Sequence, residues 1–162
     1  MRLKTPAIIV LGIVVGLAAG LGTYTFIYAR GYSYFSNDPA ACTNCHVMRG
    51  YYAGWARSSH HAVATCNDCH TPPNLVGKYA TKTANGFSHS LAFTRGAEPD
   101  AILIKTRNHS VTEAACRNCH KETVSAMEAV HRGSGQRACT HCHGSVGHSE
   151  ALASSRIPLS GE

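Results

Sequence analysis

The 162-residue sequence predicts a mainly α-helical protein with little regular structure, made of one N-terminal transmembrane helix and one compact domain. Three observations support this fold class. Residues 6–29 are uncharged and mostly apolar, no long alternating apolar run follows residue 30, and the pattern Cys-x-x-Cys-His occurs four times. The first predicts a membrane helix, the second disfavours a sheet, and the third predicts short helices joined by loops. We expect an anchor over residues 1–30 and a single domain over residues 31–162.

Residues 6–29 form the expected transmembrane helix. A helix needs about 20 predominantly apolar residues to cross a bilayer, whereas the apolar region of a cleaved signal peptide has only about 7 to 15. The longer stretch therefore favours an uncleaved anchor. Arg2 and Lys4 precede it and Arg30 alone follows it closely, so the positive-inside rule predicts a single pass with the N-terminus in the cytoplasm. The domain is then expected outside the inner membrane, in a bacterial periplasm.

The four Cys-x-x-Cys-His motifs contain all eight cysteines of the chain. This spacing is typical of c-type haem attachment, in which two thiols bind the porphyrin and the following histidine reaches the iron. Zinc ribbons and disulfide frameworks also use Cys-x-x-Cys pairs, but neither explains a histidine after the second cysteine all four times. The sequence therefore predicts a multihaem c-type cytochrome domain with four covalent haems, attached at Cys42 and Cys45, Cys66 and Cys69, Cys116 and Cys119, and Cys139 and Cys142.

The remaining histidines are candidates for the distal faces of the haems, because low-potential haems commonly take a second histidine. Four of the eleven histidines end the motifs, namely His46, His70, His120 and His143. His148 follows His143 too closely to reach around the same ring, so it suits a different haem, and the same holds for His60 or His61 beside the second motif. We favour His60 and His148 over the other candidates, which are His131, His109 and, within the fourth motif, His141.

A long insertion separates two pairs of motifs. The first cysteines of successive motifs are 24, 50 and 23 residues apart, which leaves residues 71–115 between two dihaem modules. The insertion mixes basic residues with aromatic ones such as Tyr79, Phe87 and Phe93. It is either a solvated connecting segment or a loop near the lipid headgroups that admits a lipid-soluble donor, since aromatic and basic residues favour that interface.

The basic composition does not indicate a nucleic-acid partner. The formal net charge is +6, but four haems bring eight propionates and, when ferric, one positive charge at each iron centre. The oxidised holoprotein would therefore carry only about +2. Nucleic-acid binding is typical of proteins that carry a strongly basic patch. We therefore expect no nucleic-acid partner for this protein.

Several segments together resemble a known family. They are residues 33–48, which include Cys-x-x-Cys-His-x-Met, then Trp55, Ser58-Ser59-His60, residues 78–82 and residues 86–90. In these the chain resembles the small subunit of ammonia-forming cytochrome c nitrite reductase, one of the membrane-anchored tetrahaem quinol dehydrogenases. The resemblance covers the anchor and all four motifs. It implies that the protein oxidises menaquinol in the membrane and passes electrons to a periplasmic pentahaem nitrite reductase catalytic subunit.

The resemblance also implies roles for particular residues. Met48 would ligate the first haem iron in place of His46, and the quinol would bind beside that haem near Lys82. His89 stands where some members carry an aspartate, and either group can accept a hydroxyl proton. The iron ligands expected on this basis are Met48, His70, His120, His143, His60 and His148, and the catalytic residues are Lys82 and His89.

Two further expectations concern the remaining ligand and the anchor. In the family one haem receives a lysine from the catalytic partner, although His109 or His131 could supply a ligand internally here. Gly12, Gly16 and Gly20 lie along one face of the anchor helix. Small residues at this spacing let another helix approach closely, but glycine is also frequent in transmembrane helices generally. The family resemblance favours self-association in a larger complex.

Two alternative functions stay open. The chain could be a pure electron carrier that collects electrons from another dehydrogenase. It could also be a quinol dehydrogenase that serves another periplasmic reductase, such as nitrate reductase. Lys82, His89 and Met48 favour quinol oxidation within this chain.

Overall fold

The computed structural model describes residues 5–96, 102–130 and 138–148. The chain forms two compact units, the first ending at Ser36 and the second beginning at Asn37. The described residues are helical apart from turns and connecting segments, and none of them forms a strand. The prediction of a mainly α-helical protein is therefore confirmed.

The first unit consists mainly of helix α1, Thr5–Tyr28. Pro6 lies in the first turn, where its missing N–H breaks no helical hydrogen bond. The helix has 24 residues and is about 36 Å long at a rise of 1.5 Å per residue, which exceeds the hydrocarbon thickness of a bilayer. Its large apolar side chains are exposed, and it is the one described helix that is long and apolar enough to cross a membrane.

A sharp change of direction follows α1. Arg30 adopts a left-handed conformation with φ of 52°, and a 3₁₀-helix then runs over Gly31–Phe35. A Cβ atom at position 31 would clash with the ring of Phe26. Only glycine therefore allows the chain to pass this close to the aromatic ring after leaving the helix.

The second unit contains one longer helix and several short ones. Two 3₁₀-helices, Pro39–Asn44 and His46–Met48, precede α2, Arg49–Ala56. The remaining helices are α3, Cys66–His70; α4, Leu75–Arg95; α5, Thr106–Cys119; α6, Lys121–Val130; and α7, Cys139–Cys142.

Local capping explains why the insertion is largely helical rather than a loop. The Asn74 side chain accepts a hydrogen bond from the Gly77 N–H at 2.6 Å and so caps α4 at its start. Gly96 ends the helix in the left-handed conformation, with φ of 59°, which glycine adopts at little cost. No proline interrupts residues 75–95. These signals produce a helix of 21 residues where a connecting loop was expected.

The described residues bury no large apolar side chain. The buried polar residues are Thr71, Thr81 and Lys82, each 7 or 8% exposed. A domain of this size normally derives most of its stability from a buried apolar core. The haems that the four motifs predict would supply apolar surface of the kind that the described residues lack.

Candidate haem and quinol site

The four attachment motifs lie on four different short elements. The first joins the two 3₁₀-helices, the second is α3 itself, the third ends α5, and the fourth forms α7. In the helical motifs the two cysteines are three residues apart and so share a helix face. None of the eight cysteines is in a disulfide. Each pair is thus arranged to bind two neighbouring groups on one porphyrin edge.

A capping box shapes the second motif. The Asp68 carboxylate accepts hydrogen bonds from the Thr65 N–H and hydroxyl, both at 2.8 Å. Reciprocal caps of this kind stabilise a helix start. They allow a helix of only five residues to present Cys66, Cys69 and His70 in a defined orientation.

The first and second motifs lie side by side. A hydrogen bond from Cys66 lowers the pKa of the Cys42 thiol to about 7, burial opposes this, and the positive charge of Lys82 lowers it further. The same contact raises the pKa of Cys66. These values apply to the thiols before haem attachment. They show that Lys82 lies near the first motif, where the resemblance expects the quinol-binding lysine.

Two pairs of histidines have the spacing of axial ligands. The ring centroids of His70 and His148 are 6.1 Å apart, and those of His60 and His120 are 6.0 Å apart. A metal–imidazole bond is about 2 Å long, so two imidazoles on opposite sides of one iron have centroids roughly 6 Å apart. Each pair can therefore hold one iron between its rings, and the paired donors fit the haems that the motifs predict.

The protonation of the first pair also suits iron binding. Burial and the neighbouring His148 lower the pKa of His70 to about 4, and burial lowers the pKa of His148. Both rings are thus neutral near pH 7, which is the form that binds metals. The Nδ1 atom of His148 lies 3.1 Å from the Tyr51 carbonyl oxygen. A carbonyl only accepts, so Nδ1 carries the proton and Nε2 is left for the iron.

The structure distinguishes His60 from its neighbour His61. The Nδ1 atom of His60 lies 3.2 Å from the Ser59 hydroxyl, and the ring faces His120. The ring of His61 instead packs against Trp55, with centroids 5.6 Å apart. The Trp55 indole N–H donates to the Ala64 carbonyl at 2.9 Å and so closes the turn that carries both histidines.

The first motif presents a methionine as well as a histidine. Met48 ends the 3₁₀-helix His46–Met48 and is half-buried, whereas His46 is exposed. The Met48 N–H donates to the Cys45 carbonyl at 3.0 Å and forms a tight turn directly after the cysteine pair. A methionine is a known axial haem ligand, so Met48 stays a candidate ligand for the first haem.

Helix α4 carries both expected quinol-site residues. Lys82 is 8% exposed, and its pKa is lowered by burial and by the charge of Lys78. His89 lies seven residues further along, about 10 Å at the helical rise. It is more exposed than Lys82, and partial desolvation and Lys105 lower its pKa. The two side chains occupy nearby angles around the helix but different heights along it.

His109 is directed at the fourth motif. Its Nε2 atom lies 2.9 Å from the Thr140 hydroxyl, which itself donates to a Glu113 carboxylate oxygen at 2.8 Å. The hydroxyl has one proton, so Nε2 of His109 must be the donor. In this arrangement Nε2 of His109 is bonded to Thr140 of the fourth motif. His141 lies exposed on α7, and His131 lies outside the described residues.

Sequence reasoning did not single out Glu113 or Tyr51. An acidic residue three positions before Cys116 was the one local signal for Glu113, and its bonding partners are 26 and 27 residues away. Tyr51 acts through a backbone carbonyl, which any residue type would supply, so its side-chain identity carried no signal.

Comparisons with known proteins show the family of the chain. Residues 1–153 match the N-terminal region of the NapC/NirT cytochrome c family. The cytochrome c-type protein NrfH of Wolinella succinogenes is 35% identical over 156 residues, which cover 90% of this chain and 88% of NrfH. The cytochrome c nitrite reductase subunit NrfH of Nitratidesulfovibrio vulgaris is 36% identical over 123 residues, which cover 74% of this chain and 72% of the subunit.

A solved structure has the same fold. The match is to the crystal structure of the cytochrome c nitrite reductase NrfHA complex bound to the HQNO inhibitor, with a TM-score of 0.63 and 29% identity. It covers 93% of this chain and 99% of the other. The resemblance inferred from the sequence is therefore confirmed. The chain belongs to the NapC/NirT cytochrome c family, and is accordingly a membrane-anchored, single-pass protein with covalently bound haem.

Proposed function

We propose that this protein is the electron-transfer subunit of a cytochrome c nitrite reductase. It oxidises menaquinol at the membrane and passes the electrons through four c-type haems to a periplasmic pentahaem catalytic subunit. The observation that carries the proposal is the position of Lys82, a residue only 8% exposed, whose charge acts on Cys42 of the first motif. The chain's similarity to two NrfH proteins and to a solved NrfHA complex supports the choice of partner.

The histidine pairs support an assignment of axial ligands. A c-type haem supplies a one-electron carrier at each motif. His70 and His148 would hold the second iron, and His120 and His60 the third, because of their ring spacings of 6.1 and 6.0 Å. Met48 would hold the first iron in place of His46. His143 would hold the fourth iron, with its other face left to the partner's lysine.

Lys82 and His89 would perform the chemistry on the quinol. Oxidation of menaquinol to menaquinone releases two electrons, which leave one at a time, and two protons. The Lys82 amine would donate a hydrogen bond to one quinol oxygen and position it beside the first motif. His89, neutral near pH 7 because its pKa is lowered, would accept a proton from the quinol and release it to water.

The exposed apolar side chains of α4 support access by a lipid-soluble donor. These side chains are Leu75, Val76, Tyr79, Phe87, Leu91 and Phe93. The helix contains no acidic residue, and it contains three basic ones, Lys78, Lys82 and Arg95. This combination is typical of helices at a lipid headgroup surface. These features support binding of a lipid-soluble donor to the helix that carries Lys82.

Two parts of the proposal concern assembly. The charges around α1 support a cytoplasmic N-terminus and a periplasmic haem domain. The spacing of Gly12, Gly16 and Gly20 along one face of α1 supports self-association, because small residues let another helix approach closely.

Reduction of the purified complex by a menaquinol analogue tests the proposal. Haem reduction is followed optically, and dithionite serves as a reductant that needs no quinol site. Lys82→Leu should slow reduction by the quinol and leave reduction by dithionite intact. Lys121→Leu, which removes an exposed lysine at the start of α6, is the matched control.

The same assay separates the alternatives. HQNO, the inhibitor bound in the solved relative, should block the quinol-driven reaction. If the wild-type protein is not reduced by the quinol but accepts electrons from another dehydrogenase, it is a pure electron carrier. If it oxidises the quinol but co-purifies with a different periplasmic reductase, the proposed partner is wrong and the proposed quinol site is supported.

A further inference from the structure

Glu113, in the middle of α5, joins the helix of the third motif to the start of the fourth. Its Oε2 atom accepts a hydrogen bond from the Cys139 N–H at 2.6 Å. Its Oε1 atom accepts bonds from the Thr140 N–H at 3.0 Å and the Thr140 hydroxyl at 2.8 Å. One carboxylate thus binds two consecutive residues of α7 by three bonds, which define both the position and the orientation of its first turn.

The side chain of Glu113 is well suited to this role. It is 14% exposed. Burial alone would raise its pKa, but the hydrogen bonds from Thr140 and Cys139 lower it below the usual value, so the carboxylate is ionised near pH 7. Hydrogen bonds to an ionised acceptor are about twice as strong as neutral ones. His109, one turn earlier on α5, holds the Thr140 hydroxyl from the other side at 2.9 Å.

The position of Glu113 in the sequence gives these contacts a function. Cys116 of the third motif is three residues after Glu113 on the same helix. Glu113 is therefore close in sequence to the third attachment site. Electron transfer between two haems slows steeply as their separation grows. A rigid link between two attachment motifs therefore fixes the distance between their haems, and the rate of electron transfer depends on that distance.

We propose that Glu113 is a positioning residue for the fourth haem, holding the fourth attachment motif against the third so that electrons pass between the two haems. The inference rests on the proposed attachment of one haem at each motif. The ionised carboxylate has a second effect, because a negative charge beside a haem favours the oxidised iron and lowers its potential.

The test uses the complete membrane complex with Glu113→Gln. Glutamine keeps the size of the side chain and one acceptor oxygen, but it loses the charge and replaces the other acceptor with a donor. Potentiometric titration with dithionite should show one haem in four shifted to a more positive midpoint potential. Transfer from the pre-reduced chain to the catalytic subunit should be slower than in the wild type.

Three comparisons make the result specific. Glu113→Asp keeps the charge and should shift that potential less than Glu113→Gln does. Thr140→Val removes one of the three bonds, leaves the carboxylate in place, and should disturb the same haem to a smaller degree. Glu128→Gln is the control, since Glu128 pairs with Arg117 at 2.7 Å between α5 and α6 and belongs to an exposed ion pair.

Unchanged potentials and transfer rates in Glu113→Gln would overturn the inference, and so would a change spread evenly over all four haems. If Glu113→Gln does not accumulate, Thr140→Val decides by the same criteria. Neither readout involves the quinol. An inactive quinol site would therefore contradict the proposed function without altering the result at Glu113.

Discussion

The rings of His70 and His148 face each other with centroids 6.1 Å apart and planes inclined by 26°. His148 is held from behind by the carbonyl of Tyr51, a residue 97 positions earlier in the sequence. The C-terminal part of the described chain is thereby attached to the helix that follows the first motif. This contact links the expected second haem to the region of the first, and it makes His148 a specific target for mutation.

His148→Ala should change one haem in four. Loss of its axial imidazole should convert the second haem from a low-spin to a high-spin form and alter its potential, because axial ligands are a main determinant of both. Electron paramagnetic resonance and redox titration measure these changes. His141→Ala, which removes an exposed histidine, is the control and should leave all four haems as they are. Four unaltered haems in His148→Ala would contradict the assignment.

His60→Ala and His61→Ala should differ sharply. His60 faces His120, so its loss should expose the distal side of the third haem and give one high-spin signal. His61 packs on Trp55 and should affect the spectrum little. If the two variants have the same spectrum, or if His61→Ala has the larger effect, the pairing of His60 with His120 is wrong.

Trp55→Phe should loosen the turn that carries His60. The change removes the indole N–H that donates to the Ala64 carbonyl at 2.9 Å. A single hydrogen bond of this kind contributes about 1 kcal/mol, so thermal unfolding of the holoprotein should begin at a slightly lower temperature. Tyr52→Phe, on the same helix, is a suitable comparison. If Tyr52→Phe lowers the unfolding temperature as much as Trp55→Phe does, the hydrogen bond of Trp55 has no special role.

Met48→Ala should disturb the first haem more than His46→Ala does. Met48 is half-buried at the end of a tight turn, whereas His46 is exposed. Thioether ligation raises a haem potential relative to two imidazoles, so loss of Met48 should alter the potential and spectrum of one haem. The reverse ranking of the two variants would restore an ordinary histidine-ligated first haem.

Quinol oxidation should depend on pH through His89. Partial desolvation and Lys105 lower the pKa of His89 below its ordinary value of 6.5, so the ring is neutral and able to accept a proton at pH 7 and above. The rate should be flat there and fall as the pH drops below the lowered pKa, where the ring is already protonated. His89→Leu should be slower at pH 7 and lose this dependence. A wild-type pH profile retained in His89→Leu would exclude His89 as the proton acceptor.

The helical fold and the chemistry of the attachment sites could be predicted because they depend on local patterns. Cys-x-x-Cys-His places both thiols and the histidine within about one turn, whatever the rest of the chain does. The 24 residues of α1 needed only uninterrupted apolar composition. The helical conformation of the insertion was missed, although Asn74 and Gly96 mark its ends, because the prediction gave weight to aromatic and basic composition rather than to capping.

The sequence by itself thus determined the anchor, the four attachment motifs and the set of candidate histidines. Only the tertiary structure decided that His148 faces His70, that His60 rather than His61 faces His120, and that Glu113 and His109 bind the fourth motif. The physical reason is the range of the interactions. Motif and helix signals act over a few residues, whereas these pairs are brought together by packing between helices that are far apart in the chain, and no local spacing rule encodes that packing.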